Sequence, residues 1–245
     1  MARAVWRAAR VAVHIGSGFV RILVRFPRLS QTQRDLRVQA WASAMVQILG
    51  IELCIRGPVP VNGPLLLVAN HISWLDILVL HAAHHCRFVS KADVGRWPLL
   101  GVLATGAGTL YIQRESRRDA LRVVHHMAKA LQEGDILAVF PEGTTGDGHG
   151  LLPFHANLIQ AAIAANAPVQ PVALRYVDSA TGANSQAISY VGDETLMGSL
   201  WRTLCASQVR ADVVFGVPQM GDGRDRRAWS GDLRKTIGEL LEQDP

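Results

Sequence analysis

Several features are scarce in this chain, and each shortage excludes something. Its three cysteines, Cys54, Cys86 and Cys205, are odd in number and have no paired spacing. That argues against a secreted disulfide scaffold and for a reducing compartment. No His/Cys/Asp group has metal-ligand spacing, because His84-His85 and His125-His126 are sequence neighbours that diverge on a helix. The 245 residues contain no repeat period, low-complexity tract or central linker, so one domain with an N-terminal appendage is the simplest organisation. The Gly-x-Ser-x-Gly elbow of a serine hydrolase is missing as well.

Acidic residues are scarce at the N-terminus. Residues 1–37 hold only Asp35 against Arg3, Arg7, Arg10, Arg21, Arg25, Arg28, Arg34 and Arg37, an excess of seven that exceeds the +5 of the whole chain. The positive charge belongs to this segment and points to an anionic partner. Its longest uncharged run, Val11 to Val20, is ten residues, half of the about 20 that a spanning helix needs. On a helix predicted over 3–26, Arg3, Arg7, Arg10, His14, Arg21 and Arg25 share one stripe. Val5, Ala8, Ala12, Ile15, Phe19, Leu23 and Phe26 lie opposite, and Pro27 closes the pattern. Such a helix suits a bed of anionic membrane lipids. A helix docked on the core with a solvated basic side, or a transit peptide, is the alternative. The apolar reverse disfavours nucleic acid as the partner.

After residue 49 the pattern alternates. Trp41, Met45, Ile48 and Leu49 predict a helix over 38–49 that ends at Gly50. Strands are expected at 51–55, 65–69, 87–90, 109–113, 136–140, 169–174, 188–191 and 211–217. Helices are expected at 73–83, from a Ser116/Asp119 capping box through Leu131, and at 155–166, 194–204 and 231–242. This predicts an α/β fold with a largely parallel central sheet flanked by helices, residues 50–245 being the domain and 1–49 a membrane-associating segment. Sites in such sheets sit beyond the carboxyl ends of strands.

Two strongly apolar strands run into polar clusters. The first is Asn70-His71-Ile72-Ser73-Trp74-Leu75-Asp76. A carboxylate beside a histidine can fix its tautomer while the ring takes a hydroxyl proton. Five residues apart is about 140° off one helix face, so His71 must precede the helix and Asp76 reach back. Nine His and 13 Asp produce about 0.5 such spacings by chance, so the pair alone carries little weight. The second cluster, Phe140-Pro141-Glu142-Gly143-Thr144, offers backbone N–H groups and a hydroxyl to an anion. Arg114, following Gly108-Thr109-Leu110-Tyr111-Ile112-Gln113, suits a phosphate.

In order, Asn70-His71-x-Ser73-x-x-Asp76, Arg114, Phe140-Pro141-Glu142-Gly143-Thr144 and Val169-x-Pro171-Val172 resemble the four motifs of the glycerolipid acyltransferase family, over about residues 50 to 220. Lys91, Pro98 and Gly101 resemble that family's Lys…Pro…Gly stretch. The chain departs from it at Phe154-His155-Ala156-Asn157, where Phe-Lys-x-Gly is common.

The resemblance implies transfer of an acyl group from acyl carrier protein or coenzyme A to a lysophospholipid, foremost 1-acyl-sn-glycerol-3-phosphate, at a membrane. It assigns His71 as base, Asp76 as its orienting partner and Lys91 as oxyanion stabiliser. Asn70, Ser73, Arg114, Glu142, Gly143 and Thr144 fall to the acceptor site, Glu142 acting through the network and Ser73 also suited to capping, with Pro141 and Pro171 structural. No metal or bound cofactor is implied, and the expected location is the cytoplasmic face of an inner membrane. A lyso-ornithine lipid acceptor and a non-catalytic membrane-binding protein are the alternatives.

Overall fold

The computed structural model describes residues 1–112 and 117–243. Seven strands run β1 (Ile51–Arg56), β2 (Leu65–Ala69), β3 (Arg87–Lys91), β4 (Leu110–Ile112), β5 (Ile136–Val139), β6 (Val169–Asp178) and β7 (Val209–Phe215). They form one sheet in the order β1-β7-β6-β2-β5-β3-β4. Among the described residues β6 and β7 are the one antiparallel pair of strands, so the expectation of a largely parallel α/β sheet holds.

The helices are α1 (Ala2–Val24), α2 (Gln31–Leu49), α3 (Leu75–Ala83), α4 (Leu100–Gly106), α5 (Arg117–Gln132), α6 (Gln160–Ala165), α7 (Leu196–Cys205) and α8 (Arg226–Glu242). Leu65, Leu67 and Ala69 of β2 pack with Met45 of α2, Val79 of α3 and Leu204 of α7. The alternate residues Leu66 and Val68 pack on the other face with Met127 of α5, Ala161 of α6 and Leu233 of α8. A strand covered on both faces reads as an unbroken apolar run, which is why β2 was legible.

β6 matters most for the site. Val172 lies level with Ala69, the last residue of β2. At about 3.3 Å per residue, Leu174 and Tyr176 overhang the end of β2 by roughly 7 and 13 Å.

Several boundaries differ from expectation. α2 starts at Gln31 because Ser30 and Gln33 form a reciprocal capping box that the apolar spacing did not reveal. α8 starts at Arg226, where Asp225 accepts from the N–H groups of Arg227 and Ala228. The run 155–166 splits into a short turn at Ala156–Leu158 and α6. No strand forms at 188–191: Ile188 is fully buried, and the Tyr190 N–H donates to the Ile72 carbonyl instead of to a strand neighbour. The Ser116 half of the expected capping box lies outside the described residues.

The N-terminal helix docks on the domain. Ala4, Val11 and Gly18 are its buried stripe, and a Cβ at Gly18 would lie 2.6 Å from the Trp41 indole nitrogen. His14 stacks on Trp41 with centroids 4.9 Å apart, and its Nε2 lies 2.9 Å from the Trp41 carbonyl. Arg7 donates to the Leu204 and Ala206 carbonyls, at 3.2 and 2.6 Å, where the α7 C-terminus needs donors. Arg7 and His14 therefore face the protein, which corrects the expected all-basic outer stripe. Ala8 and Ile15, expected on the membrane side, pack against the core. Yet Val5, Trp6, Val13, Val20, Leu23 and Val24 are exposed, Val13 by 74%. The apolar arc was wider than one face: part of it docks and part meets solvent. Among the described residues no helix is long and apolar enough to cross a membrane.

Candidate active site

The site begins where β2 ends. Asn70 extends the β2–β6 ladder with its side chain, accepting from the Leu174 N–H at 2.7 Å and donating to the Leu174 carbonyl at 3.0 Å. The chain then turns into α3, whose second residue is Asp76. Asp76 Oδ2 accepts from the N–H groups of Ile72 and Ser73, at 2.6 and 2.9 Å, as an acid near a helix start can do. The same oxygen lies 2.8 Å from His71 Nδ1. Oδ1 accepts from the Tyr176 hydroxyl at 2.6 Å. Asp76 is wholly buried, and these contacts offset the large cost of desolvating a carboxylate.

An ionised carboxylate can only accept, so it places the imidazole proton on Nδ1 and leaves Nε2 as the basic nitrogen. The His71 side chain is 19% exposed. Its ring stacks on Phe140, centroids 4.0 Å apart and planes within 8°, and Phe140 stacks on Phe88 at 5.7 Å. Ring position and tautomer are thus both fixed. Such a nitrogen can remove a proton from a bound hydroxyl.

The loop after β5 braces this turn. Glu142 Oε1 accepts from the His71 N–H at 2.8 Å and Oε2 from the Leu152 N–H at 2.9 Å. The Gly146 N–H donates to the His71 carbonyl at 2.8 Å. Burial holds the Glu142 carboxyl above its ordinary range, although the two backbone donors partly oppose the shift. Pro141 is buried and its carbonyl accepts from the His155 N–H at 2.8 Å. Gly143 has φ of +73°, a conformation that favours glycine, and a Cβ there would sit 3.0 Å from the His155 ring and press on it. Gly143 and Thr144 are exposed. His155, at the position where the resemblance led us to expect lysine, therefore lies against this loop.

The structure brings together His71, Asp76, Asn70, Ser73 and Glu142. Asn70, Ser73 and Glu142 are buried and contact the protein's own backbone. Lys91 ends β3, exposed, with no hydrogen bond or ion pair among the described residues joining it to His71. Pro171 is buried in β6 opposite Val68, and its carbonyl accepts from the Gly216 N–H at 2.8 Å. Arg114 lies outside the described residues. A groove of about 430 Å³ between the α1–α2 turn and α4 is lined by Ile22, Phe26, Arg34, Gly101, Val102 and Thr105 among others, and shares no residue with the His71 cluster.

Tyr176 and the stacking role of Phe140 escaped the sequence reading. One signal was available for Tyr176: a tyrosine among the apolar residues of a buried strand needs a partner for its hydroxyl.

Comparison with known proteins agrees with this geometry. A family model described as Acyltransferase matches residues 51–175, a span that holds His71, Asp76 and Glu142. A 1-acyl-sn-glycerol-3-phosphate acyltransferase of Neisseria gonorrhoeae is 38% identical over 197 residues, covering 80% of this chain and 76% of the relative. A lyso-ornithine lipid O-acyltransferase of Pseudomonas aeruginosa is 36% identical over 230 residues, covering 91% and 88%. The crystal structure of the 1-acyl-sn-glycerophosphate acyltransferase PlsC from Thermotoga maritima shares the fold, with a TM-score of 0.70 over 99% of this chain and 96% of that one at 16% identity. With a family model across half its length and relatives this similar across most of theirs, the chain belongs to the acyltransferase family of enzymes.

Proposed function

We propose that this enzyme moves a fatty acyl group from an acyl thioester to the free hydroxyl of a lysophospholipid, 1-acyl-sn-glycerol-3-phosphate being converted to phosphatidic acid. The observation that carries this is the 2.8 Å contact between His71 Nδ1 and a buried Asp76, at the carboxyl edge of the sheet. His71 Nε2 takes the hydroxyl proton as the oxygen attacks the thioester carbon. The C–O bond forms, the C–S bond breaks, and the proton passes from the imidazolium to the departing thiolate. Asp76 steadies the cation. No covalent acyl-enzyme is needed, and no bound cofactor.

The exposed Gly143–Thr144 turn, with Arg114, is our choice for the acceptor phosphate, and Lys91 for the thioester oxyanion. Asn70, Ser73 and Glu142 hold the loops that carry these groups. Acyl carrier protein or coenzyme A supplies the thioester. The exposed residues Val5, Trp6, Val13, Val20, Leu23 and Val24, beside Arg3, Arg10, Arg21 and Arg25, favour α1 as the side that meets anionic membrane lipids. On that reading the enzyme works on the cytoplasmic face of an inner membrane.

A lyso-ornithine lipid acceptor is the second reading, favoured by the Pseudomonas relative that spans 91% of this chain. Thiol release by the purified protein, with acyl thioesters and a panel of lysolipids, decides. We expect turnover with 1-acyl-sn-glycerol-3-phosphate; turnover confined to lyso-ornithine lipid would replace the acceptor, and none with any lysolipid would sink the proposal.

A further inference from the structure

The contacts of Asp76 are unevenly distributed. Oδ2 has three partners, His71, Ile72 and Ser73, all within five residues of it in the chain. Oδ1 has one partner among the described residues, Tyr176, 100 residues away on a different element. Among the described residues it is the hydrogen bond that ties the carboxylate to the sheet, and without it Oδ1 would have no described donor. The tie is itself in register. Asn70 clamps Leu174 of β6, and Tyr176 is the next residue on the same face of that strand.

We propose that Tyr176 is a positioning residue of the His71–Asp76 pair, fixing the carboxylate's rotation and drawing charge away from the oxygen that faces the imidazole. This rests on His71 being the general base. A carboxylate that accepts a strong neutral hydrogen bond is less basic and stabilises a neighbouring imidazolium less. The Tyr176 hydrogen bond therefore sets how firmly Asp76 holds an imidazolium, which a pH profile can read.

Among the described residues few titratable groups contact the pair. The β2–α3 turn contributes His71, α3 contributes Asp76, β6 contributes Tyr176, and the loop after β5 contributes Glu142, whose carboxyl feels both His71 and Asp76. Burial and the Asp76 charge push the Tyr176 phenol well above its ordinary range, so it remains a donor throughout the working pH. Glu142 is common to every variant below and cancels in the comparison.

The test uses the full-length chain and the pH profile of kcat/KM for acyl transfer. For Tyr176→Phe we expect kcat to fall about tenfold with the acceptor KM within about twofold, as for other residues that orient a catalytic group. Its acid limb should move up by about half to one pH unit, because the undamped carboxylate makes His71 more basic. Replacing Tyr176 by 3-fluorotyrosine, a stronger donor of nearly the same shape, should move that limb down. A purely structural tyrosine would lower the melting temperature and leave the limb in place. Limbs that coincide with wild type overturn the proposal, and if Tyr176→Phe does not fold, the fluorotyrosine protein alone decides. His71→Ala run alongside separates the two claims: turnover without His71 removes the base itself, whereas its loss beside an unmoved limb removes only Tyr176.

Discussion

Asp76 and the outer side of α1 break the burial rule in opposite directions. Asp76 is a charge with 0% exposure, and Val13 is an apolar side chain with 74%. Each exception has a different kind of support. The buried charge is enclosed by specific donors from its own turn and from β6, so its cost is met inside the fold. The exposed apolar side chains have no such enclosure among the described residues, while the opposite side of the same helix is fastened by Arg7, His14 and Gly18. The first belongs to the pair proposed for catalysis, the second to the face proposed for the membrane.

The largest effect is expected at the carboxylate. Asp76→Asn keeps the shape but no longer fixes the Nδ1–H tautomer, and we expect kcat to fall by about four orders of magnitude with the fold intact. A loss under about tenfold would mean that the buried charge is not part of the machinery. Next is Glu142→Ala, which leaves the His71 and Leu152 N–H groups without acceptors. Stability should fall by about 2–4 kcal/mol, read from urea unfolding, and an unchanged midpoint would show that water replaces Glu142 without cost.

His81 is the opposite case, a buried polar group whose Nδ1 has no hydrogen-bond partner among the described residues. Burial, and then the nearby His85, lower its pKa to about 3. Below its unfolded pKa of about 6.5 the unfolded chain binds a proton that the folded chain refuses. Stability is therefore lost as pH falls from about 6.5 toward 3, by about 2 kcal/mol at pH 5. His81→Leu should remove that part of the difference between urea midpoints at pH 7 and pH 5; an unchanged difference would place the acid sensitivity elsewhere. The smallest effect belongs to α1. Trp6→Ser should weaken partitioning onto anionic vesicles about tenfold at unchanged melting temperature. Point changes are cleaner than removing residues 1–27, because the deletion would also strip the donors that Arg7 gives to α7. Unaltered partitioning would leave the exposed side of α1 without a membrane role.

Local pattern made much of this legible. The central strands, their parallel arrangement and the placement of His71 ahead of α3 followed from apolar runs and the angular offset of Asp76. What stayed hidden depends on contacts across about 100 residues, Asn70 to Leu174 and Asp76 to Tyr176, which no local period records. Ile188 misled for the converse reason: a short apolar run signals burial whether or not a strand forms around it. On α1, arginine suited both a headgroup and the carbonyls at the end of α7, and only the packed chain distinguishes Arg7 from Arg3 and Arg10. Arg114 remains an expectation from the sequence.

The assignment of His71 is tested most directly by purified His71→Ala given an acyl thioester and 1-acyl-sn-glycerol-3-phosphate in vesicles, with thiol release and diacyl product followed together. The expected result is a loss of about three orders of magnitude or more, with melting temperature and vesicle binding unchanged. Turnover within about tenfold of the unaltered enzyme would contradict it.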